Sequence, residues 1–72
     1  MNKSELAFNV ASQIATDFKA GIKPLFGRSL RSEVKIRVSK ATNGVDHGLR
    51  KAAADFAEEI VRGERLGLII NN

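Results

Sequence analysis

From Ser4 to Ala20 the apolar positions repeat at helical spacing. Leu6, Ala7, Val10, Ala11, Ile14, Ala15 and Phe18 occupy one half of a wheel stepped by about 100° per residue. Asn9, Ser12, Gln13, Thr16 and Lys19 take the other half, with Asp17 at the seam. The pattern predicts an amphipathic helix with one face for a core. Asn2 followed three residues later by Glu5 is a capping-box spacing, and Ser4 is a competing N-cap. Gly21 suits the helix stop, and Pro24 forbids continuation.

Residues 21–32 read as a connector anchored by Leu25, Phe26 and Leu30. From Glu33 to Lys40 the period changes to two. Val34, Ile36 and Val38 point one way, while Glu33, Lys35, Arg37 and Ser39 point the other. A β-branched residue at each inward position predicts a half-buried strand. Thr42-Asn43-Gly44 carries the turn chemistry to end it.

A second helix is expected from the N-cap Asp46 to Arg62, with Gly63 as its stop. Leu49, Ala52, Ala53, Phe56, Ala57 and Ile60 form its apolar stripe, and Lys51–Asp55 and Glu58–Arg62 stand at ion-pairing i,i+4 spacing. The tail, Leu66-Gly67-Leu68-Ile69-Ile70, is a short continuous apolar run suited to a buried strand.

The order helix–strand–helix–strand predicts an α+β fold, one domain over residues 1–72. Two helices would pack on one face of a small sheet built from 33–40 and 66–71. Leu6, Val10, Ile14 and Phe18 would cover Val34, Ile36 and Val38, so Ile36→Asp should unfold the domain by burying an unpaired charge. A tail strand apolar on both faces needs a second cover that so short a chain lacks. Leu66, Leu68, Ile69 and Ile70 are therefore the expected self-association surface of a homodimer.

Composition narrows the chemistry. The 72 residues are 43% hydrophobic and 28% charged, a globular profile with room for one core. Without Cys there is no disulfide, thiol nucleophile or Cys-based metal site, and the one histidine, His47, excludes His-pair sites. No apolar run reaches the roughly 18–20 residues of a membrane span, and the N-terminal segment is too polar for a signal peptide. A reducing, cytoplasmic setting is expected, with no metal, no cofactor and no membrane partner. His47 beside Asp46 has no nucleophile nearby in sequence and reads as an exposed loop histidine, so catalysis is not expected.

Charge supplies the functional lead. Between Lys19 and Lys51 nine basic residues oppose two acidic ones, a local balance of +7, while the remainder carries −3. Arg28, Arg31, Lys35, Arg37, Lys40, Arg50 and Lys51 are the candidate contacts to nucleic acid or another anionic partner. On a strand, Lys35 and Arg37 would project together about 6.5–7 Å apart, within reach of neighbouring phosphates. The bland alternative is a solvated sheet face kept soluble by its charge.

The four Phe lie mostly in core stripes, with Phe26 alone near the basic segment, so duplex backbone contact is expected rather than base stacking. Helix-turn-helix is disfavoured by the intervening strand, and ribbon-helix-helix by the single helix after Lys40. Residues 43–51 place glycines at a helix start but lack the phosphate-loop spacing. Two functions follow. One is a small non-enzymatic regulator that binds nucleic acid through the basic centre. The other is an interaction module or inhibitor docking on an acidic patch or sheet edge of another protein.

Overall fold

The computed structural model describes residues 2–63. Helix α1 spans Lys3–Lys19, starting from the capping box rather than from Ser4. Asn2 Oδ1 accepts from Glu5 N at 2.8 Å, and Asn2 N donates to Glu5 Oε1 at 3.3 Å. At its C-terminus Gly21 takes φ +93°, while Gly21 N and Ile22 N donate to the carbonyls of Phe18 and Asp17. One 3-10 turn, Leu25–Gly27, leads into helix α2, Leu30–Thr42. Helix α3 covers His47–Arg62, with Asp46 Oδ1 accepting from Leu49 N at 3.0 Å and Gly63 at φ +76° as its stop.

Helix α2 overturns the α+β expectation. Residues 33–40 form no strand, and no strand occurs among the described residues. Each of the three helices packs against both others. Leu30, Val34 and Val38, at i, i+4 and i+8, form a helical stripe running through the segment that alternation assigned to a sheet. Val34 and Val38 are fully buried, whereas Ile36 is only half-buried and Glu33, expected on the outer face, is 7% exposed.

Local signals and energetics both favour the helix. Ser29 Oγ accepts from Ser32 N at 3.1 Å as N-cap, and Asn43 at φ +57° ends the helix in the left-handed region. The helical penalty of a β-branched residue is at most about 0.7 kcal/mol. Burying a Val side chain returns about 1.5–3 kcal/mol. A lone strand would also leave its backbone N–H and C=O groups without a ladder. The second expected strand, 66–71, and the self-association residues Leu66, Leu68, Ile69 and Ile70 lie outside the described residues.

The core is built from small side chains. Ala7, Ala11 and Ala15 of α1 and Ala53, Ala54 and Ala57 of α3 are fully buried, with Ile14, Val34 and Val38 beside them. Larger residues, among them Val10, Leu30, Leu49, Phe56 and Ile60, pack around this centre. Phe8 and Phe56 meet edge to face, with centroids 5.2 Å apart at 82°. The α3 stripe is rotated slightly from expectation: Ala52 is exposed and Ala54 buried.

Candidate functional site

Turning 33–40 from strand to helix redistributes every basic residue in it. On a strand, positions two apart share a face; on a helix they stand about 200° apart. Lys35 and Arg37 therefore sit on opposite flanks of α2 and do not act as a pair.

On one flank the cations are consumed by structure. Arg28 Nη1 donates to Glu33 Oε1 at 2.9 Å, and Arg37 Nη1 donates to Glu33 Oε2 at 3.4 Å. Arg28 also lies over the Phe26 ring, 5.3 Å from its centroid. The Arg28 hydrogen bond chiefly, with Arg37 adding to it, holds the Glu33 carboxyl below its ordinary value against the opposing effect of burial. Lys40 is exposed on the last turn of α2, at i+7 from Glu33, and lines no concavity described here.

The other flank faces α3 and forms an open concavity of about 430 Å³. Arg31 and Lys35 of α2 line it with His47, Arg50 and Lys51 from the first turns of α3. No carboxylate is among the lining residues. Asp46 caps α3 beside it, and the four-residue connection 43–46 fixes how far α3 starts from the end of α2.

Lys35, His47 and Arg50 have no ion-pair partner among the described residues. Arg50 Nε is shielded from solvent and has no hydrogen-bond partner. Such a group gains from an incoming acceptor without first giving up a bond.

Arg31 and Lys51 are held differently. Arg31 Nη1 donates to Asp55 Oδ1 and to Glu58 Oε1, both at 2.7 Å, and Lys51 Nζ donates to Asp55 Oδ2 at 3.0 Å. Arg62 Nη2 stands 3.8 Å from Glu58 Oε1. The hydrogen bond from Arg31, then that from Lys51, keeps the Asp55 carboxyl below its usual value; the bonds to Asp55 and Glu58 raise Arg31 in turn. This network ties α2 to α3 at one end of the concavity.

Four of the seven residues expected to bind an anion, Arg31, Lys35, Arg50 and Lys51, thus share one surface. Arg28 and Arg37 belong to the Glu33 triad, and Lys40 stands apart. Sequence reasoning left out His47, although its place at the start of α3 two residues before Leu49 put it beside Arg50 and Lys51. No group of three or more His, Cys, Asp or Glu residues poised to hold a metal occurs among the described residues. No helix among them is long and apolar enough to cross a membrane. Compared with protein families, curated proteins and solved structures, the chain matches none.

Proposed function

We propose that this three-helix protein is a small non-enzymatic regulator that binds duplex nucleic acid on the α2–α3 face. One observation carries the reading: a concavity lined by Arg31, Lys35, His47, Arg50 and Lys51 and by no carboxylate. Arg31 and Lys51 are paired with Asp55 and Glu58, while Lys35 and Arg50 are unpaired among the described residues. The concavity therefore keeps an excess of positive charge, and phosphate is the anion that a duplex presents along its length.

The objection to a helix–turn–helix geometry was the strand before the second helix, and that strand is a helix. Helices α2 and α3 are joined by residues 43–46, including Gly44, a connection of the length such pairs use. His47, Arg50 and Lys51 occupy the N-terminal turns of the second helix, the part that enters a groove in proteins of that geometry. Arg31 and Lys35 on the first helix then meet the flanking backbone.

Fluorescence anisotropy with random-sequence DNA and RNA duplexes, titrated over salt, tests this. Log affinity is expected to fall with log salt by about 0.9 per neutralised DNA phosphate. The double variant Lys35→Ala/Arg50→Ala should weaken binding and flatten that slope by about 1.8, whereas Arg37→Ala leaves both unchanged. Absence of binding to either duplex at low salt removes the reading.

A second reading rests on a different surface. Ile22, Leu25 and Phe26 of the α1–α2 connector are 62%, 67% and 87% exposed beside Lys23 and Arg28. Apolar residues beside Lys23, with Arg28 already bound to Glu33, suit docking on an acidic patch of another protein. The sheet-edge variant of that idea loses its strand at 33–40. Loss of a captured protein partner on Phe26→Ser, with duplex binding intact, would favour this second surface.

A further inference from the structure

The basic concavity has two zones. At the end near the 43–46 connection, Lys35, His47 and Arg50 make no ion pair among the described residues, and Asp46 there caps α3 by accepting from Leu49 N. At the other end Arg31 pairs with both Asp55 and Glu58, and Lys51 pairs with Asp55. Both oxygens of Asp55 are engaged, Oδ1 by Arg31 at 2.7 Å and Oδ2 by Lys51 at 3.0 Å. A carboxylate accepting from an arginine and a lysine at these distances occupies the position and the bonds that a backbone phosphate would use. From this geometry we infer that Asp55, with Glu58 behind it, is an internal competitor for phosphate: it holds Arg31 and Lys51 until a duplex backbone displaces it.

This inference rests on the α2–α3 face being the duplex surface and adds how that face is regulated. First contact falls to the open zone, where no bond has to break. Engagement of Arg31 and Lys51 requires exchange of carboxylate for phosphate, one anion for another on the same donors. The exchange is feasible because the pairs are not sealed: the side chains of Arg31 and Glu58 are each 31% exposed, that of Asp55 44% and that of Lys51 70%. Half-exposed pairs are weak, so phosphate competes on near-equal terms. Fewer cations are then counted in loose, non-specific binding than the surface carries, and the full set is used only where phosphates reach both zones. The charge on Asp55 therefore sets affinity and salt dependence together.

Wild type and the variants Asp55→Asn, Glu58→Gln and Arg50→Ala are compared by anisotropy on the same random-sequence DNA duplex across a salt series. Asp17→Asn controls for net charge: Asp17 lies on α1, where Gln13 Nε2 donates to it at 3.1 Å, away from this face. Asp55→Asn is expected to tighten low-salt binding about two- to fivefold, the range of a half-exposed ion pair. Its salt slope should steepen by about 0.9 for each phosphate newly engaged. Glu58→Gln should move both quantities in the same direction by less, because Asp55 still holds Arg31, and it serves where Asp55→Asn melts early by circular dichroism.

Three results decide between the readings. If wild type and Arg50→Ala both fail to bind duplex, the surface itself is misassigned. If wild type binds and Arg50→Ala weakens it, while Asp55→Asn gains no more than Asp17→Asn, the competitor role is overturned and the surface stands. A gain in affinity with an unchanged slope also overturns it, since no additional phosphate has been engaged.

Discussion

The two flanks of α2 carry similar side chains and put them to opposite uses. On one, Arg28 and Arg37 share Glu33, whose side chain is 9% exposed, so one of their two positive charges is offset inside the fold. On the other, Lys35 and Arg50 are half-buried and make no ion pair among the described residues, while Asp55 and Glu58 hold Arg31 and Lys51 at the far end. The difference is burial. A carboxylate taken out of water must be compensated, and the nearest guanidinium groups become part of the fold. A cation at an open surface has no such obligation and remains available. Cation counts along a sequence therefore overstate a binding surface wherever an acid lies beneath it.

The separation of the flanks depends on the helical phase of α2, and the largest expected effect tests that phase. Val34→Asp places an uncompensated charge at a fully buried position and is expected to unfold the domain, a loss above about 4 kcal/mol. Ile36→Asp, half-buried on the same helix, should cost about 1 kcal/mol and leave a cooperative melt. A strand would make the two equally destructive. Thermal denaturation followed by circular dichroism separates them, and equal losses would return 33–40 to a sheet.

The next effect sharpens the contrast between closed and open charge. Glu33→Gln replaces the two charged acceptor oxygens shared by Arg28 and Arg37 with one neutral amide oxygen and should cost about 1–2 kcal/mol while duplex affinity stays level. Because the Glu33 carboxyl is held below its ordinary value of 4.5, its contribution is complete above that pH. The contribution is lost as pH falls through the lowered value. Asp55, depressed from 3.8 by Arg31 and Lys51, acts in the same direction slightly lower. Melting temperature should therefore be steady near neutrality and drop below about pH 4.5, and Glu33→Gln should shallow that drop. An unchanged acid profile in the variant would show that the triad contributes nothing to stability.

The smallest stability effect belongs to the open flank. Lys35→Ala and Arg50→Ala each remove a cation that no described carboxylate holds, so both should stay within about 0.5 kcal/mol of wild type in urea unfolding. A loss above 1 kcal/mol for either would mean that its stem or charge supports the fold and that the flanks differ less than their ion pairs indicate.

Much of the architecture was legible in the residues. Asn2 with Glu5, Gly21, Asp46 and Gly63 mark the ends of α1 and α3, because capping depends on groups within a turn of one another. The long amphipathic stripes of those helices left one periodicity open. Residues 30–42 were different: Val34-x-Ile36-x-Val38 satisfies a period of two, while Leu30, Val34 and Val38 satisfy the helix. Ser29 as a cap and Asn43 as a left-handed stop were the local signals that favoured the helix. The alternating β-branched residues outweighed them in a short window. The cations suffered the same ambiguity, since a change of period moves Arg37 to the opposite side from Lys35.

The sequence by itself determined two capped amphipathic helices, an excess of positive charge between Lys19 and Lys51 and the absence of thiol chemistry, since each follows from residue identity or from contacts within one helical turn. Only the tertiary structure decided that 30–42 is a helix, because its secondary preference is nearly balanced and burial of Val34 and Val38 between α1 and α3 tips it. It also decided that six alanines form most of the buried centre, since helices that approach closely leave little space between them. The sorting of cations into a closed triad and an open surface came last. The bonds of the Glu33 triad and the Lys51–Asp55 pair lie within five residues of sequence, but the link from Arg31 to Asp55 and Glu58 joins residues 24 and 27 positions apart across helices, a relation that no local pattern encodes.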